Sequence, residues 1–157
     1  MRGTSRTPAR TQAQPSQPVN VEPARQKKRV LFVCIGNSCR SQMAEALAKT
    51  YGADVIEAHS AGLNPATIIA PLTRKVLGEK NMNTDGQFPK GVDLYSRVKF
   101  DVVVNMSGAP VSTQSARIIQ WPVPDPIGKP EEVYRAVESQ IEGLVMRLIL
   151  ELRASTI

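Results

Sequence analysis

Hydrophobic residues change their spacing along the chain, and the changes mark alternating strands and helices. Residues 30–34 form an unbroken apolar run, which is typical of a strand buried on both faces of a sheet. Apolar residues at helical spacing then predict a helix over residues 41–51, which Gly52 would end. Further strands are predicted at residues 55–59, 100–106 and 116–120, and a helix that opens with a proline is predicted over residues 71–80.

The end of the chain carries the strongest helical pattern. One apolar stripe recurs over residues 131–152, and glutamates lie at its start, where the helix dipole is positive. Residues 121–130 contain four prolines and predict a loop. Strands that alternate with helices predict an α/β fold with a parallel sheet covered on both faces. Ligands of such sheets bind beyond the carboxyl ends of the strands, which is where Cys34 is placed.

Residues 1–29 have no hydrophobic periodicity and predict a disordered basic tail. They are rich in Pro, Gln, Ser and Arg, and they hold seven basic residues against Glu22 alone. The tail thus carries the whole net charge of +6, and residues 30–157, predicted to be one domain, are neutral. A basic arm can contact nucleic acid. With three Phe, three Tyr and one Trp, however, the chain has no aromatic surface on which bases would stack, so we expect no nucleic-acid partner.

Composition also argues against membrane and metal-binding classes of protein. No apolar run approaches the roughly 20 residues that a bilayer span needs, and the first residues lack a secretory signal, so we predict a cytoplasmic protein without membrane contact. The chain has one histidine, His59, and two cysteines, Cys34 and Cys39. These are too few for a disulfide framework or a structural metal site, and we expect neither a metal nor another cofactor. The remaining role for the two cysteines is thiol chemistry in a reducing compartment.

The segment CIGNSCRS, residues 34–41, has the features of an anion-binding loop between a strand and a helix. A loop at that position turns its backbone N–H groups inward and can hold an oxyanion. Arg40 offers a planar fork to two oxygens, and Gly36 and Asn37 tolerate the backbone angles of a tight wrap. The residues predicted to bind a phosphate are Ile35, Gly36, Asn37, Ser38, Cys39, Arg40 and Ser41.

Cys34 is the predicted nucleophile of this loop. A cysteine at a helix N-terminus beside a guanidinium loses its proton more readily than a free thiol, and Ser41 can donate a hydrogen bond to the thiolate. The alternative for Cys34 is a core residue that ends a strand. For Cys39 two interpretations stand: a core residue, and a disulfide partner that protects Cys34 during oxidation.

The loop resembles the active-site loop of the low-molecular-weight protein tyrosine phosphatases, whose pattern is C-x-G-N-x-C-R-S. The similarity continues through HSAGLNP at residues 59–65, FDVVVNM at 100–106 and Asp125-Pro126 to the last helix. The resemblance implies a four-stranded parallel sheet with helices on both faces, and a catalytic domain over residues 30–157. It implies that phosphate monoesters are hydrolysed through a phosphoenzyme on Cys34, with Arg40 and Asp125 as the other catalytic residues.

Asp125 is the general acid that the resemblance implies, and it would later act as a base on water. A carboxylic acid is the natural donor in a chain with one histidine. Taken alone, Asp125 also fits a turn residue before a proline. Many phosphatases of this family carry two aromatic residues after Asp-Pro, whereas this chain has Ile127 and Gly128, which leaves phosphotyrosine open as the substrate.

The same superfamily includes arsenate reductases, and SAGLNPA, WPVPDP and residues 87–90 are similar to that branch. Reductases with an internal thiol relay carry a cysteine after the FDVV strand and another several residues later. Here Ser107 takes the first position, and residues 109–118 contain no cysteine. Reduction would need an external thiol such as glutathione, mycothiol or glutaredoxin. We therefore rank a phosphatase first, an arsenate reductase second and a non-catalytic oxyanion-binding module third. The expected partner is a phosphorylated protein or a small phosphate ester, with arsenate as the alternative.

Overall fold

Six strands, three α-helices and one 3₁₀ helix make up the computed structural model, which describes residues 26–155. The strands are β1 (Lys28–Cys34), β2 (Ile56–Gly62), β3 (Lys99–Phe100), β4 (Val102–Asn105), β5 (Gln114–Ser115) and β6 (Ile118–Gln120). The α-helices are α1 (Arg40–Tyr51), α2 (Pro71–Gly78) and α3 (Glu131–Ser155), and the 3₁₀ helix is Val92–Tyr95. Among the described residues, no helix has both the length and the apolar character of a membrane span.

The central sheet has the strand order β2-β1-β4-β6, and every neighbouring pair is parallel. This confirms the predicted α/β fold with a four-stranded parallel sheet. The predicted tail lies outside the described residues up to position 25, and its last two residues, Lys28 and Arg29, open β1.

Strand β1 is buried on both faces, as its apolar run predicts. Val30 and Phe32 pack in the larger core, which α1, α2 and α3 cover. Leu31 and Val33 point to the other face. There they pack in a smaller core with Phe100, Val103 and Ala61. The helical cover of that second face is the short 3₁₀ helix, whose Val92 and Tyr95 pack against the smaller core.

The strand predicted over residues 100–106 is divided at Asp101. Phe100 pairs with Ser115, so that β3 and β5 form a separate two-stranded parallel sheet. From Val102 onward the chain pairs with β1 instead. The carboxylate of Asp101 accepts a hydrogen bond from the backbone N–H of Arg29 at 2.8 Å, which fixes the chain where it changes sheets. Helix α2 ends at Gly78, short of the predicted residue 80, and α3 continues three residues past the predicted 152.

The carboxyl ends of the strands meet at one edge of the sheet. Cys34 ends β1, Gly62 ends the neighbouring β2, and Asn105 ends β4 on the other side. The loop that follows β6 leads from Trp121 to the predicted acid, Asp125. Four segments that are distant in sequence therefore converge on the loop between β1 and α1.

Candidate active site

The loop between β1 and α1 wraps tightly at the edge of the sheet. Asn37 adopts a left-handed backbone conformation with φ of 51°, which Asn tolerates better than most residues. Gly62 lies directly beneath the loop, since a Cβ there would lie 2.6 Å from the carbonyl oxygen of Ile35 and 2.8 Å from the amide nitrogen of Asn37. The loop can take this path only because residue 62 has no side chain.

The thiol of Cys34 is buried at the start of α1, where donors surround its sulfur. The side chain of Ser41 lies with Oγ 2.9 Å from Sγ, and the backbone N–H of Ser41 donates to Sγ at 3.4 Å. Asn37 Nδ2 donates to the same hydroxyl oxygen at 2.7 Å. That bond uses one lone pair of Ser41 Oγ, and the hydroxyl hydrogen of Ser41 can be donated to the sulfur of Cys34.

Buried amides hold Asn37 in place. Its Oδ1 accepts hydrogen bonds from the backbone N–H of Lys90 at 2.9 Å and from Gln42 Nε2 at 3.0 Å. Gln42 is in turn fixed by Gln87, whose Nε2 donates to Gln42 Oε1 at 2.7 Å. No sequence motif indicates these roles of Gln42 and Gln87. The only signal for Gln42 was a polar residue beside the apolar stripe of α1.

Arg40 is buried, and both terminal nitrogens of its guanidinium lie near oxygen atoms of the protein. Nη1 donates to the carbonyl oxygens of Met106 at 2.7 Å and Val123 at 3.0 Å. Nη2 lies 3.4 Å from Asp125 Oδ2. Nε is buried and has no hydrogen-bond partner within residues 26–155. A buried guanidinium N–H normally has an acceptor, and a bound oxyanion would supply one here.

A cleft of about 200 Å³ opens above the loop. The cleft residues are Cys34, Ile35, Gly36, Ser38, Cys39, Arg40, Ala66, Asp125 and Ile127. Ile35 and Ile127 are partly exposed at its rim, with 36% and 47% of their surface accessible. A cleft of this size suits a small tetrahedral oxyanion at its base and an organic group at its mouth.

Cys39 faces a different environment from Cys34. Burial raises the pKa of its thiol to about 12, against a smaller opposing effect of the hydrogen bond with Thr73. Thr73 also donates from Oγ1 to the carbonyl oxygen of Ser38 at 3.0 Å, so the start of α2 holds this part of the loop. Both cysteines are free thiols in the structure. Cys39 packs in the larger core, and its predicted role as a disulfide partner stays a prediction.

Comparisons with known proteins identify the family to which the chain belongs. The family model described as low molecular weight phosphotyrosine protein phosphatase matches residues 29–156. The chain belongs to this family. It is 35% identical over 130 residues to a protein named glutaredoxin arsenate reductase from Synechocystis sp., which covers 80% of the chain and 98% of that relative.

Two solved structures of the family show the breadth of its chemistry. One is described as an arsenate reductase in the phosphate-binding state, with a TM-score of 0.73 and 34% sequence identity. The match covers 80% of this chain and 98% of the chain of that structure. The other is the YwlE arginine phosphatase from Geobacillus stearothermophilus, with a TM-score of 0.64 and 26% sequence identity; the match covers 82% of this chain and 94% of the phosphatase chain. The phosphatase family fold therefore carries both hydrolases and reductases.

In this family member, the predicted site residues fall into two groups. Cys34 and Arg40 come from the loop of residues 34–41 and Asp125 from the loop after β6, and all three residues line one cleft. Of the predicted phosphate-binding loop, Asn37 and Ser41 do not line the cleft and instead support Cys34 from behind, through the hydrogen bonds described above. No group of three or more His, Cys, Asp or Glu side chains in the described region is arranged to hold a metal ion.

Proposed function

We propose that this protein is a cysteine-dependent phosphatase that hydrolyses phosphate monoesters through a phosphoenzyme intermediate on Cys34. One observation supports this above the others. Cys34, Arg40 and Asp125 line one small cleft, and the buried Nε of Arg40 has no hydrogen-bond partner within the described residues 26–155. A nucleophile, an oxyanion-binding group and a proton donor are the three parts that hydrolysis of a phosphate ester requires.

In the first step, the Cys34 thiolate attacks phosphorus while the bond from phosphorus to the ester oxygen breaks. Asp125 gives its proton to the departing oxygen, so the leaving group is released as a neutral alcohol or phenol. In the second step, Asp125 takes a proton from water, and the resulting hydroxide equivalent attacks phosphorus. The bond from sulfur to phosphorus breaks, inorganic phosphate leaves and the thiolate is restored.

The loop stabilises charge in both steps. The Ser41 hydroxyl and N–H would stabilise the thiolate before attack and after release, since hydrogen bonds to a charged acceptor are stronger than neutral ones. Arg40 Nε would bind an equatorial phosphate oxygen, while the carbonyls of Met106 and Val123 keep the guanidinium from turning away. Residues 35–41 would supply further backbone N–H donors to the same oxygens.

The mouth of the cleft suits a substrate with an apolar group next to its phosphate. Ile35, Ala66 and Ile127 line the mouth, and none of them is aromatic. The proposal therefore includes phosphorylated proteins and small phosphate esters, without a specific preference for phosphotyrosine. It also includes a cytoplasmic location, because a thiolate nucleophile needs a reducing compartment.

A second candidate is an arsenate reductase that depends on an external thiol. It is favoured by the similarity to a relative that is named glutaredoxin arsenate reductase. Arsenate would condense with the Cys34 thiol and release water. An external thiol would then attack the Cys34 sulfur, so that arsenic leaves as arsenite with the two electrons and a mixed disulfide forms. Ser107 cannot replace that thiol, because a hydroxyl forms no disulfide. Its hydroxyl instead donates a hydrogen bond to Asn105 Oδ1 at 2.6 Å.

Turnover of p-nitrophenyl phosphate by the wild type, Cys34→Ser and Asp125→Asn tests the first proposal. We expect Cys34→Ser to abolish turnover, and Asp125→Asn to lower kcat/KM by about 100-fold or more, the usual scale of general acid catalysis. Asp85→Asn, an exposed carboxylate outside the cleft, is the matched control and should behave as wild type. Binding of inorganic phosphate should survive in Asp125→Asn.

The same proteins distinguish the other functions. In one outcome, the wild type hydrolyses no ester but reduces arsenate when glutathione and glutaredoxin are added. That result would contradict the phosphatase proposal and support the arsenate reductase. Oxyanion binding with neither reaction would indicate the non-catalytic module. Ester turnover that persists in Cys34→Ser would contradict the role of Cys34.

A further inference from the structure

A row of hydrogen bonds runs behind the loop of residues 34–41 and ends at the nucleophile. Gln87 Nε2 donates to Gln42 Oε1 at 2.7 Å, and Gln42 Nε2 donates to Asn37 Oδ1 at 3.0 Å. Asn37 Nδ2 donates to Ser41 Oγ at 2.7 Å, and that oxygen lies 2.9 Å from the sulfur of Cys34. We call these five residues the donor chain, because each of its three amides donates toward Cys34.

Backbone groups fix the direction of each amide. The N–H of Lys90 donates at 2.9 Å to Asn37 Oδ1, and since a backbone N–H can only donate, the atom that meets it must be the oxygen. Gln42 Nε2 lies 3.0 Å from the carbonyl oxygen of Asn37 and 3.1 Å from that of Phe88. Gln87 Nε2 lies 3.3 Å from the carbonyl oxygen of Gln42. Carbonyl oxygens only accept, so a reversed glutamine would place two oxygens against each other.

The direction of the donor chain favours one hydrogen bond to the nucleophile. A thiolate has no hydrogen to donate, so in that form of Cys34 the hydroxyl of Ser41 is the donor. The NH2 group of Asn37 supports this arrangement, because it bonds to Ser41 Oγ as a donor. Hydrogen bonds in a row polarise one another, and a bond to a charged acceptor is stronger than a neutral one.

Gln42 and Gln87 are buried but do not line the cleft. Gln42 has no accessible surface, and Gln87 has 7%. A buried amide is costly unless its groups are hydrogen-bonded, and an apolar side chain would fill the same space without that requirement. The segment that carries Gln87 is also held by β2, since the N–H of Gly62 donates to the carbonyl oxygen of Lys90 at 2.8 Å. The two glutamines therefore connect a fixed segment to the loop through their polar atoms.

We propose that Gln42 and Gln87 are positioning residues for the nucleophile. They hold the Asn37 amide in one direction, so that the hydroxyl of Ser41 donates to the Cys34 thiolate. This inference rests on the proposed function in so far as it takes Cys34 as the nucleophile. Neither glutamine contacts the substrate, and their loss should change the reactivity of the sulfur while the residues of the cleft stay in place.

Gln87→Met tests this, because it keeps an unbranched side chain of similar length and removes the polar groups. Alkylation of Cys34 by iodoacetamide, located by mass spectrometry, is measured from about pH 4 to about pH 9. We expect the pH of half-maximal alkylation rate to rise by at least about half a pH unit, with the plateau rate at high pH within about twofold of wild type. Arg40 and Asp125, the charged residues that line the cleft, are unchanged. Gln114→Met, the same change at an exposed position, is the matched control and should keep the wild-type profile.

A double-mutant cycle separates the donor chain from two independent effects. Gln42→Met leaves Asn37 Oδ1 with the N–H of Lys90 alone, and should shift the alkylation profile at least as far as Gln87→Met. Because Gln87 acts through Gln42, the double variant should shift the profile no further than Gln42→Met does. Shifts that add in the double variant would overturn the proposed connection.

The wild type gives a readout that needs no variant to fold. The side-chain NH2 hydrogens of Gln42 and Gln87 should exchange with solvent at least about tenfold more slowly than those of the exposed Gln114 and Gln140. Exchange as fast as at the exposed positions, or alkylation profiles that are unchanged in both single variants, would overturn the positioning role. None of these measurements depends on turnover. A wild type that hydrolyses no phosphate ester would overturn the phosphatase proposal, and the alkylation profiles would still decide this one.

Discussion

Two buried thiols lie in one short loop, and they have different hydrogen-bond partners. Cys34 has the hydroxyl and the N–H of Ser41 directed at its sulfur. Cys39 is desolvated in the larger core, and burial raises its pKa to about 12. At neutral pH Cys39 is therefore a protonated core residue, and Cys34 is the proposed nucleophile of this loop.

The raised pKa of Cys39 predicts a loss of stability in alkali. The folded protein keeps the Cys39 proton up to about pH 12, whereas the unfolded chain releases it above its usual value of 9.0. The stabilising effect of the buried thiol is thus complete below pH 9 and falls as the pH rises above it. At pH 10 the free energy of unfolding should be lower by about 1 kcal/mol from this group alone.

Urea denaturation at pH 7 and pH 10 measures this difference. Cys39→Ser is the reference, since serine does not titrate in this range while lysines and tyrosines titrate in both proteins. The wild type should lose more free energy of unfolding between the two pH values than Cys39→Ser does. Parallel changes in the two proteins would mean that the Cys39 thiol is not desolvated in the native state.

Among the elements, β2 determines whether the loop after β1 can form. Its last residue, Gly62, lies against backbone atoms of Ile35 and Asn37 at distances that exclude a side chain. Neither backbone atom can move without changing the loop. We expect Gly62→Ala to displace the loop, weaken phosphate binding at least about tenfold and destabilise the fold by about 1–3 kcal/mol, the usual cost of overpacking.

A second glycine in a regular element provides the control for this prediction. Gly143 lies within α3, and a Cβ there would have no heavy atom within 4 Å. Gly143→Ala should stabilise the protein by about 0.5–1 kcal/mol, because alanine has the higher helix propensity. Isothermal titration with phosphate and thermal unfolding measure both variants. Phosphate affinity that is unaffected by Gly62→Ala would contradict the close packing of β2 beneath the loop.

The sequence predicted those elements whose signals are local. Unbroken apolar runs marked β1, helical periodicity marked α3, and the motif in residues 34–41 marked the loop. The division at Asp101 was missed, because it depends on pairing with Ser115 and Arg29, which are distant in sequence. The 3₁₀ helix was missed for the same reason, since its packing against the smaller core is a tertiary contact.

The hydrogen bonds that hold the site residues in place also could not be predicted from local sequence patterns. Gln42 is a buried amide on α1, and nothing near it in the sequence indicates that Gln87 and Asn37 are its partners. Motif matching finds the groups that would contact a substrate, whereas the residues that hold those groups are found from the structure.

At the scale of the whole molecule, the residues of the proposed site and many of the residues that carry the net positive charge lie in different parts of the sequence. The residues that line the cleft lie between positions 34 and 127. The first 25 residues hold four arginines and one glutamate, so their removal lowers the formal net charge from +6 to +3. None of them takes part in the proposed mechanism.

A protein that begins at residue 26 should therefore keep the activity of the full chain. At about 0.15 M salt, where charges are screened beyond about 8 Å, we expect kcat/KM for p-nitrophenyl phosphate within about twofold of the full-length value. The midpoint of thermal unfolding should be unchanged, because β1 and both cores remain intact. Removal of residues 1–33 would delete most of β1 and is the control that should not fold. A large loss of kcat/KM in the shorter deletion, with unchanged thermal unfolding, would mean that the basic segment contributes to substrate binding.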